Sequence, residues 1–358
     1  MHFLSDPAIQ DAAPAPAGLS DGPAVGYDRP VQPENDALRK ELVFVVAAWC
    51  FVLTSVVPVR AAERNTVLIA GGEVTGYYLP VAGALCRVIN KERPRGMTCA
   101  VVPSSGSAAN LAMLRAGEVD LALVQSKAAQ QAAAGEEGFR EAGPMTGLRA
   151  AMALHGEVAV VVTRPGSGIE HLGDIKGKRV NLGSPGSFQR AMAETVIDAS
   201  GLSQGDLSVL VELDLDEQVV ELCRGNIDAA VFTGIHPMDE VQAAIDECGA
   251  TLVSIRSKSM DAFLRKVPSV SRFVVKGGTY DGQKEDIAAI GFKTLLVSDR
   301  LASDDVAGVI RAVWGNFTAF TRLHPVLRGL SKGEATRDGI PIPMNEGAAR
   351  VHGEGGGK

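Results

Sequence analysis

The chain has 358 residues, enough for two ordinary domains with a core each. Its formal net charge of −7 removes the basic footprint that proteins use to neutralise phosphates, so nucleic acid is excluded as a partner. Aromatic content is only 5%, which makes tyrosines beside a glycine-rich loop informative, and 40 glycines suit tight turns and close backbone approaches to a ligand.

In chain order, residues 1–37 are rich in Ala, Pro, Asp and Gly without apolar periodicity and read as a disordered extension. Arg39 and Lys40 then precede an uncharged, mostly apolar run over residues 42–57, followed by Pro58-Val59-Arg60-Ala61-Ala62. That order predicts a signal peptide over residues 38–62 and a periplasmic mature protein; the alternative is an uncleaved anchor. Cys50 leaves with this segment, and Cys86, Cys99, Cys223 and Cys248 remain. Two bridges, Cys86 with Cys99 and Cys223 with Cys248, are one reading and buried free thiols the other.

Residues 66–70 predict a strand that runs into Gly71-Gly72, with Tyr78, Ala82, Leu85 and Ile89 recurring at helical spacing behind it. Residues 98–102, the loop Pro103-Ser104-Ser105-Gly106-Ser107 and a helix to Gly117 repeat the theme, with Ser107 expected as the N-cap. A strand over residues 121–124 ends at Gln125-Ser126. In the second half, residues 179–182 lead into Gly183-Ser184-Pro185-Gly186-Ser187 and a helix ending at Gly201. An apolar run over residues 287–297 predicts a long strand recrossing to the first half, with a helical region over residues 306–323 behind it. Strands alternating with helices imply parallel sheets with ligand-facing loops at their carboxyl edges.

An internal repeat sharpens this outline. Residues 109–125 and 217–233 each comprise an amphipathic helix, a stopping glycine (Gly117, Gly225), a β-branched residue, an aspartate (Asp120, Asp228) and a buried strand. Two copies predict two lobes of similar build: residues 63–163 and 164–282, with a return to the first lobe over 283–345 and a flexible tail over 346–358. Asp120 and Asp228 stand at strand starts, opposite the ligand loops, and are expected to be structural.

Three glycine-containing loops, residues 71–78, 104–110 and 183–188, stand where a strand hands over to a helix. Their free N–H groups and the helix dipole favour an anionic group such as a carboxylate, and Thr75, Ser105, Ser107, Ser184 and Ser187 add hydroxyls. No hydrolase elbow, dinucleotide fingerprint or phosphate loop occurs, and His155, His171 and His236 lack partners at motif spacing. The expectation is a binding protein with no catalytic residue, metal or cofactor. The competing readings are a periplasmic sensor for a membrane kinase and a periplasmic enzyme on the same scaffold.

Gly71-Gly72 with Gly76-Tyr77-Tyr78-Leu79-Pro80, Ser105-Gly106-Ser107-Ala108-Ala109-Asn110-Leu111, residues 117–125, Gly183-Ser184-Pro185-Gly186-Ser187 and Tyr280-Asp281-Gly282-Gln283 together resemble the TAXI family of TRAP transporter solute-binding proteins. The resemblance implies a type II periplasmic-binding-protein fold, two α/β lobes closing on glutamate, glutamine or another small carboxylate. It further implies delivery to an ion-driven TRAP permease by a monomer. By position, Tyr77, Tyr78, Ser105, Ser107, Asn110 and Gln125 would line one wall, and Ser184, Gly186 and Ser187 the other. Glu73 with Thr75 and Gly76, and Phe188 with Gln189, depart from or flank the family pattern. A cleft-facing Glu73 would favour a ligand carrying an amine unless Arg190 neutralises it.

Overall fold

The computed structural model describes residues 65–355 apart from Gly186. The expected extension and signal segment therefore lie outside the described residues, as does Gly186. Among the described residues no helix is long and apolar enough to cross a membrane.

The first half of the sheet is built from β1 (Thr66–Ala70), β2 (Thr98–Val102) and β3 (Leu121–Gln125), with helices α1 (Tyr78–Glu92), α2 (Ser107–Ala116) and α3 (Ser126–Ala134). β4 (Arg149–Thr163) follows. The second half holds β5 (Arg179–Asn181), β6 (Val209–Val211), β7 (Ala229–Gly234) and β8 (Thr251–Val253), with α4 (Phe188–Ser200), α5 (Leu215–Cys223) and α6 (Asp239–Cys248). β9 (Val270–Val275) and β10 (Ile287–Ser298) precede α7 (Ser303–Gly315) and α8 (Glu346–Gly355).

The strand order β2-β1-β3-β10-β4-β7-β5-β6 contains the same arrangement twice. β1 pairs parallel with β2 and β3, and β10 runs antiparallel beside β3. β5 pairs parallel with β6 and β7, and β4 runs antiparallel beside β7. The sequence repeat thus falls on the third strand of each half, β3 and β7, with α2 and α5 leading into them. The long strands β4 and β10 pair with each other and with strands of both halves, so they are the crossings between the halves. The second crossing corresponds to the apolar run over residues 287–297. β4 is a crossing that periodicity did not single out, because a mostly apolar run without alternation does not distinguish a long strand from a buried helix.

Each half has its own core. Val81, Leu85 and Ile89 of α1 meet Val306, Val309 and Val313 of α7 on the first half-sheet, while Met192, Val196 and Ile197 of α4 cover Val180, Val231 and Ile290 in the second. Cys86 and Cys99 form a disulfide between α1 and β2, and Cys223 and Cys248 a second between the ends of α5 and α6. Asp120 accepts the Leu68 N–H at 2.8 Å, and Asp228 accepts the Arg179 N–H at 3.0 Å. Each therefore fastens the start of a third strand to the first strand of its half, the structural role expected of both. Within the expected tail, the described residues 346–355 are a correction: α8 forms over Glu346–Gly355 because Ala348 and Val351, three apart, are buried against the first core.

Candidate functional site

The carboxyl ends of β1, β2 and β3 meet the crossing strands at a hollow of about 230 Å³, lined by Gly72, Glu73, Gly76, Tyr77, Tyr78, Ser105, Gly106 and Glu157. Glycine is required at the back of this hollow. A Cβ on Gly72 would stand 2.9 Å from the Tyr78 Cβ, and Gly106 holds φ +111°, a conformation that side-chain-bearing residues rarely adopt. Larger hollows open elsewhere, one of about 550 Å³ along Pro94, Arg95, Asp304 and Arg311 and one of about 520 Å³ along Trp314, Lys332, Met344 and His352. Neither reaches the strand ends, and the first is bordered by the ion pairs Arg95–Asp305 and Arg311–Glu354.

Glu157, on β4, is the acid at the floor. Tyr78 Oη donates to it at 3.1 Å and Gln125 Nε2 at 2.8 Å, so side chains from α1 and β3 fix both oxygens. Burial raises its pKa above the usual carboxylate range, and the two donors act in the opposite direction. Burial, reinforced by Glu157, likewise pushes the Tyr78 phenol upward and keeps it a donor. His155, two residues before Glu157 and edge-on to the Tyr78 ring, is lowered to about 3 by burial, with His324 and Lys293 adding positive charge. It is neutral; Nε2 pairs with Thr294 Oγ1 at 3.2 Å, and Nδ1 has no partner among the described residues.

The structure brings together Glu73, Gly76, Tyr77, Tyr78 and Ser105 around the hollow, with Gln125 beneath it on Glu157. Thr75 is exposed in the turn closed by the Gly76 N–H on the Glu73 carbonyl and does not line the hollow. Ser107 is the first residue of α2 and Gly106 its N-cap. The Ser107 hydroxyl accepts the Gln125 N–H at 3.0 Å, whereas Ser104 takes the Gly106 N–H. The first helical bond runs from Asn110 N–H to the Gly106 carbonyl, which leaves the N–H groups of Ser107, Ala108 and Ala109 without helical acceptors. Asn110 is wholly buried. Its amide donates to the Gly71 and Leu123 carbonyls and accepts from Ser104, holding three strand ends together.

In the second half, the Ser187 hydroxyl caps α4 by accepting the Arg190 N–H at 3.0 Å. Neither Ser184 nor Ser187 lines the hollow. Phe188 is 38% exposed, and its ring lies 6.4 Å from that of Phe292 on β10, whose ring also carries the Lys127 ammonium 5.7 Å from its centroid. Arg190 is engaged by Glu194 and Glu212, away from Glu73. The lining therefore holds two carboxylates and no basic side chain, with Lys127 of α3 a nearby cation over the Phe292 ring of β10. Sequence reading passed over Glu157; its signal was a single acid inside the apolar run of β4.

A solved TctC solute-binding protein from Polaromonas is similar to this chain, at 17% identity over 80% of this chain and 96% of that one, with a TM-score of 0.52. The periplasmic aliphatic sulphonate binding protein SsuA from Escherichia coli matches at 15% identity over 81% and 85%, with a TM-score of 0.44. The likeness to the first establishes the fold as the two-lobed α/β architecture of periplasmic binding proteins. A sequence model described as the NMT1-like family matches residues 69–356. The chain belongs to the NMT1-like family.

Proposed function

We propose that this chain is an exported solute-binding protein that captures a small amine-bearing solute, an amino acid such as glutamine or glutamate, and releases it unchanged to a membrane permease. The observation that carries the reading is Glu157: a part-buried carboxyl on a strand shared by both halves, held by Tyr78 and Gln125 beneath a hollow whose other charged lining residue is Glu73. Two carboxylates attract an ammonium and disfavour a dicarboxylate that lacks one. The open N–H groups at the start of α2 suit the carboxylate of the same zwitterion. At about 230 Å³ the hollow is smaller than the roughly 300–1,000 Å³ of drug-sized sites, which fits a metabolite of amino-acid size.

The permease is proposed to be ion-driven and of the TRAP type, on the strength of the TAXI-like motifs around Gly71, Ser105 and Gly183. Two disulfides, which persist in oxidising compartments, support a periplasmic location. A thermal-shift series over amino acids, 2-keto acids and dicarboxylates tests the ligand class, since a solute that binds the folded form raises Tm. Stabilisation by amino acids is expected. Stabilisation by dicarboxylates alone would reject the amine-bearing solute.

A further inference from the structure

The duplicated helix–glycine–strand unit gives each residue of 109–125 a positional counterpart in 217–233. Aspartates Asp120 and Asp228 correspond, as do the buried amides Asn110 and Gln218, and Gln125 corresponds to Thr233. In the first half this set is paired: Asn110 bonds Ser104, Gly71 and Leu123, and Gln125 bonds Glu157.

The second half is different. Gln218 is wholly buried, and its Oε1 accepts from Asn181 and Gln189, each at 2.8 Å, but its Nε2 has no partner among the described residues. The Thr233 hydroxyl is likewise buried and without a partner among the described residues. An unpaired buried polar group costs about 1–3 kcal/mol, so two in one half mark a constellation that is incomplete on its own.

Strand register places Thr233 with respect to Glu157. Thr233 pairs with Ala159 across β7 and β4, and cross-strand partners share a face of the sheet, as do alternate residues of one strand. Ala159 and Glu157 are alternate residues, and Glu157 pairs with Phe292 on β10. Thr233, Glu157 and Phe292 therefore share one face, with Phe188 of the second half against Phe292.

We propose that Thr233 is a solute-contacting residue of the second half, its hydroxyl accepting a hydrogen bond from the same ammonium group that the Glu157 carboxylate binds. The inference rests on the amine-bearing solute proposed above. One group on the ligand would then be held by the crossing strand and by the second half together.

The test titrates wild type, Thr233→Val and Thr233→Ser by calorimetry with the amino acid that, out of the twenty common L-amino acids, most raises the wild-type Tm. Thr233→Val conserves volume and removes the unpaired hydroxyl, so its ligand-free Tm should equal or exceed that of wild type. Its affinity should fall about fivefold to tenfold, the effect of losing one hydrogen bond, and Thr233→Ser should restore binding. Wild-type affinity in Thr233→Val, or a lowered ligand-free Tm showing that the hydroxyl has an internal partner, would overturn the Thr233 contact alone. A wild type that no amino acid stabilises would overturn the underlying ligand class, and this contact with it.

Discussion

Two titratable side chains on one strand, the buried His155 and the part-buried Glu157, should bend the pH dependence of this protein in opposite directions. His155 is lowered from 6.5 to about 3 by burial, so the folded state keeps it neutral where the unfolded chain takes up a proton. Its contribution to stability is complete above about 6.5 and is lost as pH falls toward about 3. Glu157 is raised from 4.5, so its contribution is complete below 4.5 and is lost as pH rises through its folded-state value. In urea unfolding followed from pH 7 to pH 4, His155→Gln should flatten the acid decline and Glu157→Gln should steepen it. Identical curves for both variants would contradict these assignments. Amine capture requires the Glu157 carboxylate, so affinity should weaken on acidification, beginning above the ordinary carboxylate range. At pH 7, Glu157→Gln should reduce amino-acid affinity by roughly tenfold to a hundredfold, the range for a charge-assisted hydrogen bond.

At the scale of elements, the aspartate before β7 fastens more than a strand. Asp228 meets Arg164 at 2.6 Å and Arg179 at 2.7 Å, and the Arg179 contacts hold its pKa well below the usual range. Asp228→Asn would leave two guanidinium groups without their carboxylate, and chemical denaturation should register a loss of about 1–3 kcal/mol. Because the folded pKa is depressed, the wild-type contribution is present above 3.8 and disappears as pH falls below it. Reducing the Cys86–Cys99 bridge frees α1 from β2, and loop-closure entropy for so short a loop gives an expected loss of about 3 kcal/mol. Unchanged stability in Cys86→Ala/Cys99→Ala would count against that bridge.

These same elements mark what the sequence disclosed. The repeat and the glycine loops were legible because turns and helical periodicity are local. Strand β4 and the role of Asn110 were not legible, since an apolar run has no helix-or-strand signature and Asn110 acts on carbonyls at Gly71 and Leu123, far along the chain or one element away. Ser107 does not take the N-cap position expected of it because a glycine with positive φ, Gly106, occupies it.

For the whole molecule, the junction of the halves is built to keep backbone close to backbone. A Cβ on Gly291 of β10 would lie 2.2 Å from the Glu157 carbonyl oxygen, so Gly291→Ala must separate the crossing strands at the floor of the site. Overpacking of this kind costs about 1–3 kcal/mol, and the variant should lose Tm and solute affinity together. Loss of Tm with wild-type affinity would uncouple the crossing from binding. Native mass spectrometry of the protein as purified, with its copurified solute, bears most directly on the ligand. The predicted spectrum contains a one-to-one complex with a small nitrogen-containing zwitterion that disappears in Glu157→Gln, whereas a bound dicarboxylate lacking an amine and retained by that variant would contradict it.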